Sequence, residues 1–176
     1  MSSSQLETLR WQFALTWKLA GVHLPALTDE SCLWKPAPGS WTVRQPSDGR
    51  WHADWADAEP DPAPPPTIAW LTWHLMWWWS GLLAAVRHET PRAHHEVEWP
   101  GNADAVVRRL DALSTEWSNV LTGLAESDLE RPLTYPWREP RPLRLAIAWA
   151  NSELMKNVAE IGYVRHLFEA SRDRAG

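Results

Sequence analysis

Apolar side chains recur every three or four residues along four stretches of the chain, and three of these stretches open on a residue suited to capping a helix. In "LETLRWQFALTWKLAGVHL", Leu6, Leu9, Phe13, Trp17 and Ala20 fall on one stripe, and Ser4 and Glu7 have capping-box spacing. This predicts a first helix over about residues 4–23. A short helical turn follows at "TDESCLW", with Thr28 as its cap. Thr67 opens a second helix, expected to run to about Glu89 and closed by Pro91. Asn102 opens a third, about 102–123, with Val106, Leu110, Leu113, Trp117 and Val120 on its buried side and Gly123 near its end. Pro142 suits the first turn of a fourth, about 142–170, where Arg165, His166 and Arg172 complement the dipole.

Residues 34–66 break this pattern. They hold eight prolines, two glycines and four tryptophans, and no helical period. Asp48-Gly49 is a turn signal, so "WTV" and "RWHADW" can pair as a short hairpin. A long loop that carries this much indole forgoes burial energy if it stays in water. It is expected to fold over the domain as a lid, with "PDPAPPP" as a stiff strap. Four amphipathic helices with one long crossover give an all-α four-helix bundle, one domain over residues 1–176 with no internal repeat.

Composition narrows the function classes. Fifteen tryptophans stand against two tyrosines and two phenylalanines, so the aromatic mass is almost all indole. A net charge of −5 offers no basic surplus for a phosphate backbone, which excludes nucleic acid as a partner. Cys32 is the single cysteine, so no intrachain disulfide forms, and a small buried residue is its expected role. The start, "MSSSQLETLRWQF", lacks the layout of a secretion signal, which makes a cytoplasmic protein the expectation.

The segment "WLTWHLMWWWSG", residues 70–81, places five tryptophans around one histidine. From Ile68 to Val86 there is no fixed charge, the length of a membrane span. Tryptophan, however, prefers membrane interfaces, and here it fills the middle, with a histidine at the centre. The remaining helices carry charged faces, so the span is rejected. On a helix, Trp70, His74, Trp77, Trp78 and Gly81 share one face. Burial would keep His74 neutral, either as a metal ligand or base, or as a core histidine bonded to a carbonyl or carboxylate.

On the last helix, Glu153, Asn157 and Glu160 stand at i, i+4 and i+7, with Lys156 beside them and Trp149 one turn earlier. This row is either a solvated face with a Glu153–Lys156 pair or one side of a site facing His74. His94-His95-Glu96 in the connector could hold a metal, but adjacent histidines diverge. His23, His52, His88 and His166 have no convincing partner in the sequence. No phosphate-cradling glycine loop, nucleophile elbow or zinc-finger cysteine spacing occurs.

"TIAWLTWHLMWWWSGLL", the "WTVR...DGRW" loop ahead of it and "WANSELMKNVAEIGYVRHL" together resemble the DinB/YfiT-like superfamily of four-helix bundles, found in many bacteria. The resemblance implies a histidine triad, one ligand on the second helix and two on the last. Relatives include thiol S-transferases using bacillithiol or mycothiol, a thiol-dependent maleylpyruvate isomerase and a domain of ergothioneine-forming enzymes. His74 matches the first ligand, while the other two positions fall on Glu153 and Asn157. A divalent metal (zinc, nickel, iron or manganese) on His74, Glu153 and Asn157 is thus implied with a weakened donor set, and a low-molecular-weight thiol by the same analogy. Lys156 could instead neutralise Glu153, or act as a nucleophile or base.

The expectation is an enzyme acting on a small apolar or aromatic molecule by thiol transfer, hydrolysis or isomerisation. His74, Glu153 and Lys156 would be catalytic, with Trp70, Trp77, Trp78, Trp149 and Glu160 against the ligand. The alternatives are a non-catalytic protein that binds or sequesters a small molecule, and a salt-bridged relic with no ligand. Family habit adds a homodimer.

Overall fold

The long helices begin where their caps are satisfied. In the computed structural model, which describes residues 4–58 and 60–173, α1 spans Gln5–His23. Ser4 Oγ accepts from the Glu7 N–H at 3.1 Å, and the Glu7 carboxylate accepts from the Ser4 N–H at 2.9 Å. A short α2, Asp29–Leu33, repeats the device with Thr28 and Ser31. The second long helix, α3, covers Ile68–Val86, and Thr67 Oγ1 accepts from the Trp70 N–H. Asn102 likewise caps α4, Ala103–Gly123, through the Ala105 N–H at 2.8 Å. Each such cap contributes about 1 kcal/mol.

Two helix boundaries differ from the periodic reading. α3 ends at Val86, short of Glu89, because His88 turns into the left-handed region at φ 62° and the Glu89 N–H folds back onto the Ala84 carbonyl. The last helix, α5, runs Leu143–Asp173. Pro142 lies just outside it, and the Leu143 N–H donates to the Arg131 carbonyl at 2.8 Å.

α1 packs on α5, α5 on α3, α3 on α4 and α4 on α1, so the four long helices close a ring around one apolar centre. Leu9 and Phe13 meet Leu75 and Leu82 there, with Leu110, Leu113 and Trp117 from α4 and Ile147, Leu154 and Ile161 from α5, all buried. Burying each such side chain is worth roughly 1.5–3 kcal/mol, which makes this centre the main source of stability.

The strands are small and leave the class all-α. The expected hairpin forms: β1 (Val43–Arg44) pairs antiparallel with β2 (His52–Ala53), with Gly49 at φ 76° in its turn. A second ladder, β3 (Pro132–Leu133) with β4 (Arg141–Pro142), has no counterpart in the sequence pattern.

The proline-rich crossover is folded onto α3 by its own polar and aromatic groups. Trp70 Nε1 donates to the Asp54 carbonyl at 2.7 Å, and the Thr67 N–H to the Trp41 carbonyl at 2.8 Å. Trp51 meets Trp99 edge to face at 5.2 Å. Most indole N–H groups on α3 find partners: Trp73 donates to the Val97 carbonyl and Trp78 to Asn157, while Trp99 donates back to Thr72. Trp79 Nε1 is buried without a hydrogen bond among the described residues, its ring held edgewise by Phe13 and Trp17. Cys32 is fully buried, and burial pushes its thiol up to about 12. No helix among the described residues is long and apolar enough to cross a membrane.

Candidate functional site

Between α3 and α5 lies a cavity of about 430 Å³. Helical spacing explains its α3 wall: Trp70, His74, Trp77 and Trp78 differ by three, four or one residue and so project to one side. Trp149, Glu153, Lys156, Asn157 and Glu160 form the α5 wall by the same arithmetic. The nine residues singled out on these two helices from the sequence therefore line one space. The sequence reading expected the crossover loop as a cover without naming the residues that line the space, and it missed the end formed by Tyr135. Trp41, Ala63, Pro64 and Pro66 roof it from the crossover loop, and Tyr135 and Pro136 close one end. Tyr135 is one of two tyrosines in the chain, the one compositional signal that singles it out.

The imidazole of His74 lies parallel to the Trp70 ring, 8° apart with centroids at 5.0 Å, and Trp41 meets Trp70 at a 33° tilt, 5.0 Å away. Trp77 flanks the imidazole at 5.9 Å. Desolvation inside this aromatic stack lowers the His74 pKa to about 4, helped by the Lys156 ammonium and opposed by Glu153 and Asn157. The ring is therefore neutral at pH 7. Its Nδ1 is buried and has no hydrogen-bond partner among the described residues. An orphaned buried acceptor or donor costs about 1–3 kcal/mol, so the fold keeps this atom at a stability cost.

Opposite the imidazole, the polar groups are already engaged. Glu153 and Lys156 form an ion pair at 2.7 Å one turn apart, with the ammonium at the solvent-exposed rim. Asn157 is 1% exposed; its Oδ1 accepts from Trp78 Nε1 at 3.1 Å and its Nδ2 donates to Glu160 Oε2 at 3.0 Å. Tyr135 donates its hydroxyl to the Trp78 carbonyl at 2.9 Å. Burial raises the Tyr135 pKa well above its ordinary value, so it stays protonated and a donor.

These residues do not fit a divalent metal. A cation would have to draw Glu153 away from Lys156, and Asn157 Oδ1 away from the indole N–H it holds. Of the implied triad only His74 keeps an uncommitted nitrogen, and a neighbouring ammonium opposes a dication. No group of three or more histidine, cysteine or carboxylate side chains among the described residues is placed to hold a metal.

Four of the other histidines find ordinary partners. His94, His95 and Glu96 make one 3-10 turn; His94 stacks on Trp55 at 4.6 Å and His95 meets His94 at 90°, so their rings do not converge. His52 pairs with Asp48 at 3.0 Å across the hairpin turn, and His166 with Glu169 at 3.3 Å along α5; neither pairing was evident from the sequence. His23 packs against Gly162 and edgewise on His166 at 5.8 Å, and its Nδ1, like that of His74, is buried without a hydrogen-bond partner among the described residues.

The relatives agree with this architecture. No curated protein sequence matches the chain. Among solved structures, a conserved protein from Enterococcus faecalis aligns with a TM-score of 0.65 over 94% of this chain and 98% of that one, at 12% identity, a likeness of fold alone. The sequence profile of the DinB superfamily matches residues 49–161, which span the second half of the crossover loop, the His74 helix, α4 and the first part of α5. With that match over more than half its length, the chain belongs to the DinB superfamily.

Proposed function

We propose that this DinB-superfamily chain is an enzyme that admits a small apolar or aromatic molecule to the indole-lined cavity and acts on it with side chains alone. The observation that carries the reading is the neutral imidazole of His74, stacked on Trp70 at the wall of that cavity. A neutral imidazole accepts a proton at one nitrogen while the other donates. Lys156, at the rim of the same cavity, is placed to stabilise negative charge left on a substrate when the proton departs. Glu153 holds that ammonium in position.

Thiol transfer, isomerisation through an enolate and hydrolysis by activated water share a first step in which one proton leaves the reacting group. His74 takes that proton and Lys156 faces the anion. A bound substrate that excludes water from Lys156 would strengthen this electrostatic contribution.

A second reading is sequestration without turnover. It is favoured by the Trp78–Asn157–Glu160 chain of hydrogen bonds, which commits two of the polar wall residues to protein partners.

One experiment separates the two. The protein is incubated with fractionated small-molecule extracts while tryptophan emission and compound masses are followed together. The enzyme reading expects one compound consumed and a product formed, with His74→Gln still binding but not converting. Binding without conversion by the native protein leaves sequestration. If no fraction changes the emission or any mass, both readings fail.

A further inference from the structure

The charges around the cavity do not cancel. Glu153 and Lys156 neutralise each other at 2.7 Å. Glu160 also lines the cavity, and its carboxylate has no cationic partner among the described residues; it accepts only the Asn157 amide N–H at 3.0 Å. His74 carries no charge at neutral pH. Two carboxylates against one ammonium leave the lining one negative charge in excess.

That carboxylate is half-buried at the edge of an aromatic enclosure. Desolvating an anion without a countercharge is costly. Five indoles surround the space: Trp41, Trp70, Trp77, Trp78 and Trp149. The faces of indole rings are negative and attract a cation more strongly than those of other aromatic side chains. An anionic ligand would meet both Glu160 and these faces with the wrong sign. A neutral one would cover Glu160 and leave it uncompensated.

We propose that the ligand of this cavity is an organic cation, a small molecule whose ammonium or other positively charged nitrogen sits among the indoles within reach of Glu160. The proposal rests on the reading of the cavity as the ligand site, and adds the class of molecule it takes. A volume of about 430 Å³ matches a small metabolite with an apolar or aromatic body. The neutral imidazole suits such a ligand, because it offers an acceptor nitrogen without repelling the positive head. The net charge of −5 on the chain favours the encounter.

The test uses two probes of the same shape and different charge: phenyltrimethylammonium and tert-butylbenzene. Each is titrated into the native protein, with tryptophan emission as the readout. The cation is expected to bind roughly tenfold or more tightly than the hydrocarbon, the scale of a desolvated cation–π contact. Glu160→Gln should cut that preference several-fold, and Glu160→Asp should keep most of it. Circular dichroism checks that both variants fold; should Glu160→Gln fail to fold, the preference of the native protein decides alone. Equal binding of the two probes, or tighter binding of the hydrocarbon, overturns the cationic ligand and leaves the apolar-ligand reading in place. Binding of neither probe overturns both.

Discussion

The indole N–H of Trp78 on α3 donates to the side-chain oxygen of Asn157 on α5, 3.1 Å away, and ties together the two helices that wall the cavity. Asn157 passes the chain on by donating to Glu160. The position at which the family resemblance implies a histidine ligand is thus occupied by a buried structural link. This one relationship explains why the bundle persists while the metal donor set does not fit.

Cutting that link should be costly. Asn157→Leu leaves the Trp78 N–H buried without an acceptor, a loss of about 2 kcal/mol. For a chain of this length, that lowers Tm by about 4–8 °C. In a double-mutant cycle with Trp78→Phe, the two losses should sum to more than the loss in the double variant, since both remove one interaction. Strict additivity in thermal unfolding would mean that the bond contributes nothing.

Stability should also depend on His74 in acid. Its folded pKa of about 4 lies below the unfolded value of 6.5, so unfolded chains bind the extra proton between those limits. Stability is therefore full above pH 6.5 and drains as the pH falls toward 4, by up to about 1.4 kcal/mol per pH unit. His23, lowered by burial, Arg165 and His166, adds a pull of the same sign. Urea midpoints of the native protein and His74→Gln, measured from pH 7 to pH 4, should converge on acidification as the native curve falls faster. Parallel curves would show that His74 is not held neutral by the fold.

The parts of this architecture that were legible in the sequence are those encoded locally. Ser4, Thr67 and Asn102 sit within three residues of the N–H groups they cap, so the helix starts could be read directly. The shared face of Trp70, His74, Trp77 and Trp78 follows from helical spacing alone. That this face meets Glu153 and Asn157 rested on the family register, because helix pairing is not written in either helix separately. Trp41 and Tyr135 escaped the reading because loops position them through long-range bonds, Thr67 to Trp41 and Tyr135 to Trp78. The early end of α3 escaped for a different reason. His88 adopts a left-handed conformation more usual for glycine, and no local pattern announces it.

Gly81 makes the dependence on Tyr135 testable. A Cβ at this position would lie 2.8 Å from the Tyr135 hydroxyl oxygen and 3.0–3.1 Å from ring carbons. Gly81→Ala gains up to about 1 kcal/mol of helix propensity, but overpacking against a ring costs about 1–3 kcal/mol and strains the bond to the Trp78 carbonyl. The clash should win, giving a net loss in Tm and a weaker fluorescence response to cavity ligands. A more stable Gly81→Ala with unchanged ligand response would mean that Tyr135 moves aside freely and is no fixed wall of the site.

Restoring imidazoles should create the metal site that the native residues do not offer. In the native protein, a divalent ion gains one imidazole and must compete with Lys156 for Glu153 and with Trp78 for Asn157. Adding zinc should therefore leave its Tm nearly unchanged. Glu153→His with Asn157→His supplies two further nitrogens four residues apart on α5, facing His74. It also frees Lys156 from its pair and removes the link to Trp78, so the metal-free variant should melt below the native protein. A ligand at a hundred times its Kd stabilises a fold by about 2.7 kcal/mol, or about 5–10 °C here. Differential scanning fluorimetry with and without zinc reads both effects. An equal gain for the native protein would show that Glu153 and Asn157 do give up their partners to a metal, and side-chain chemistry without one would no longer describe the site.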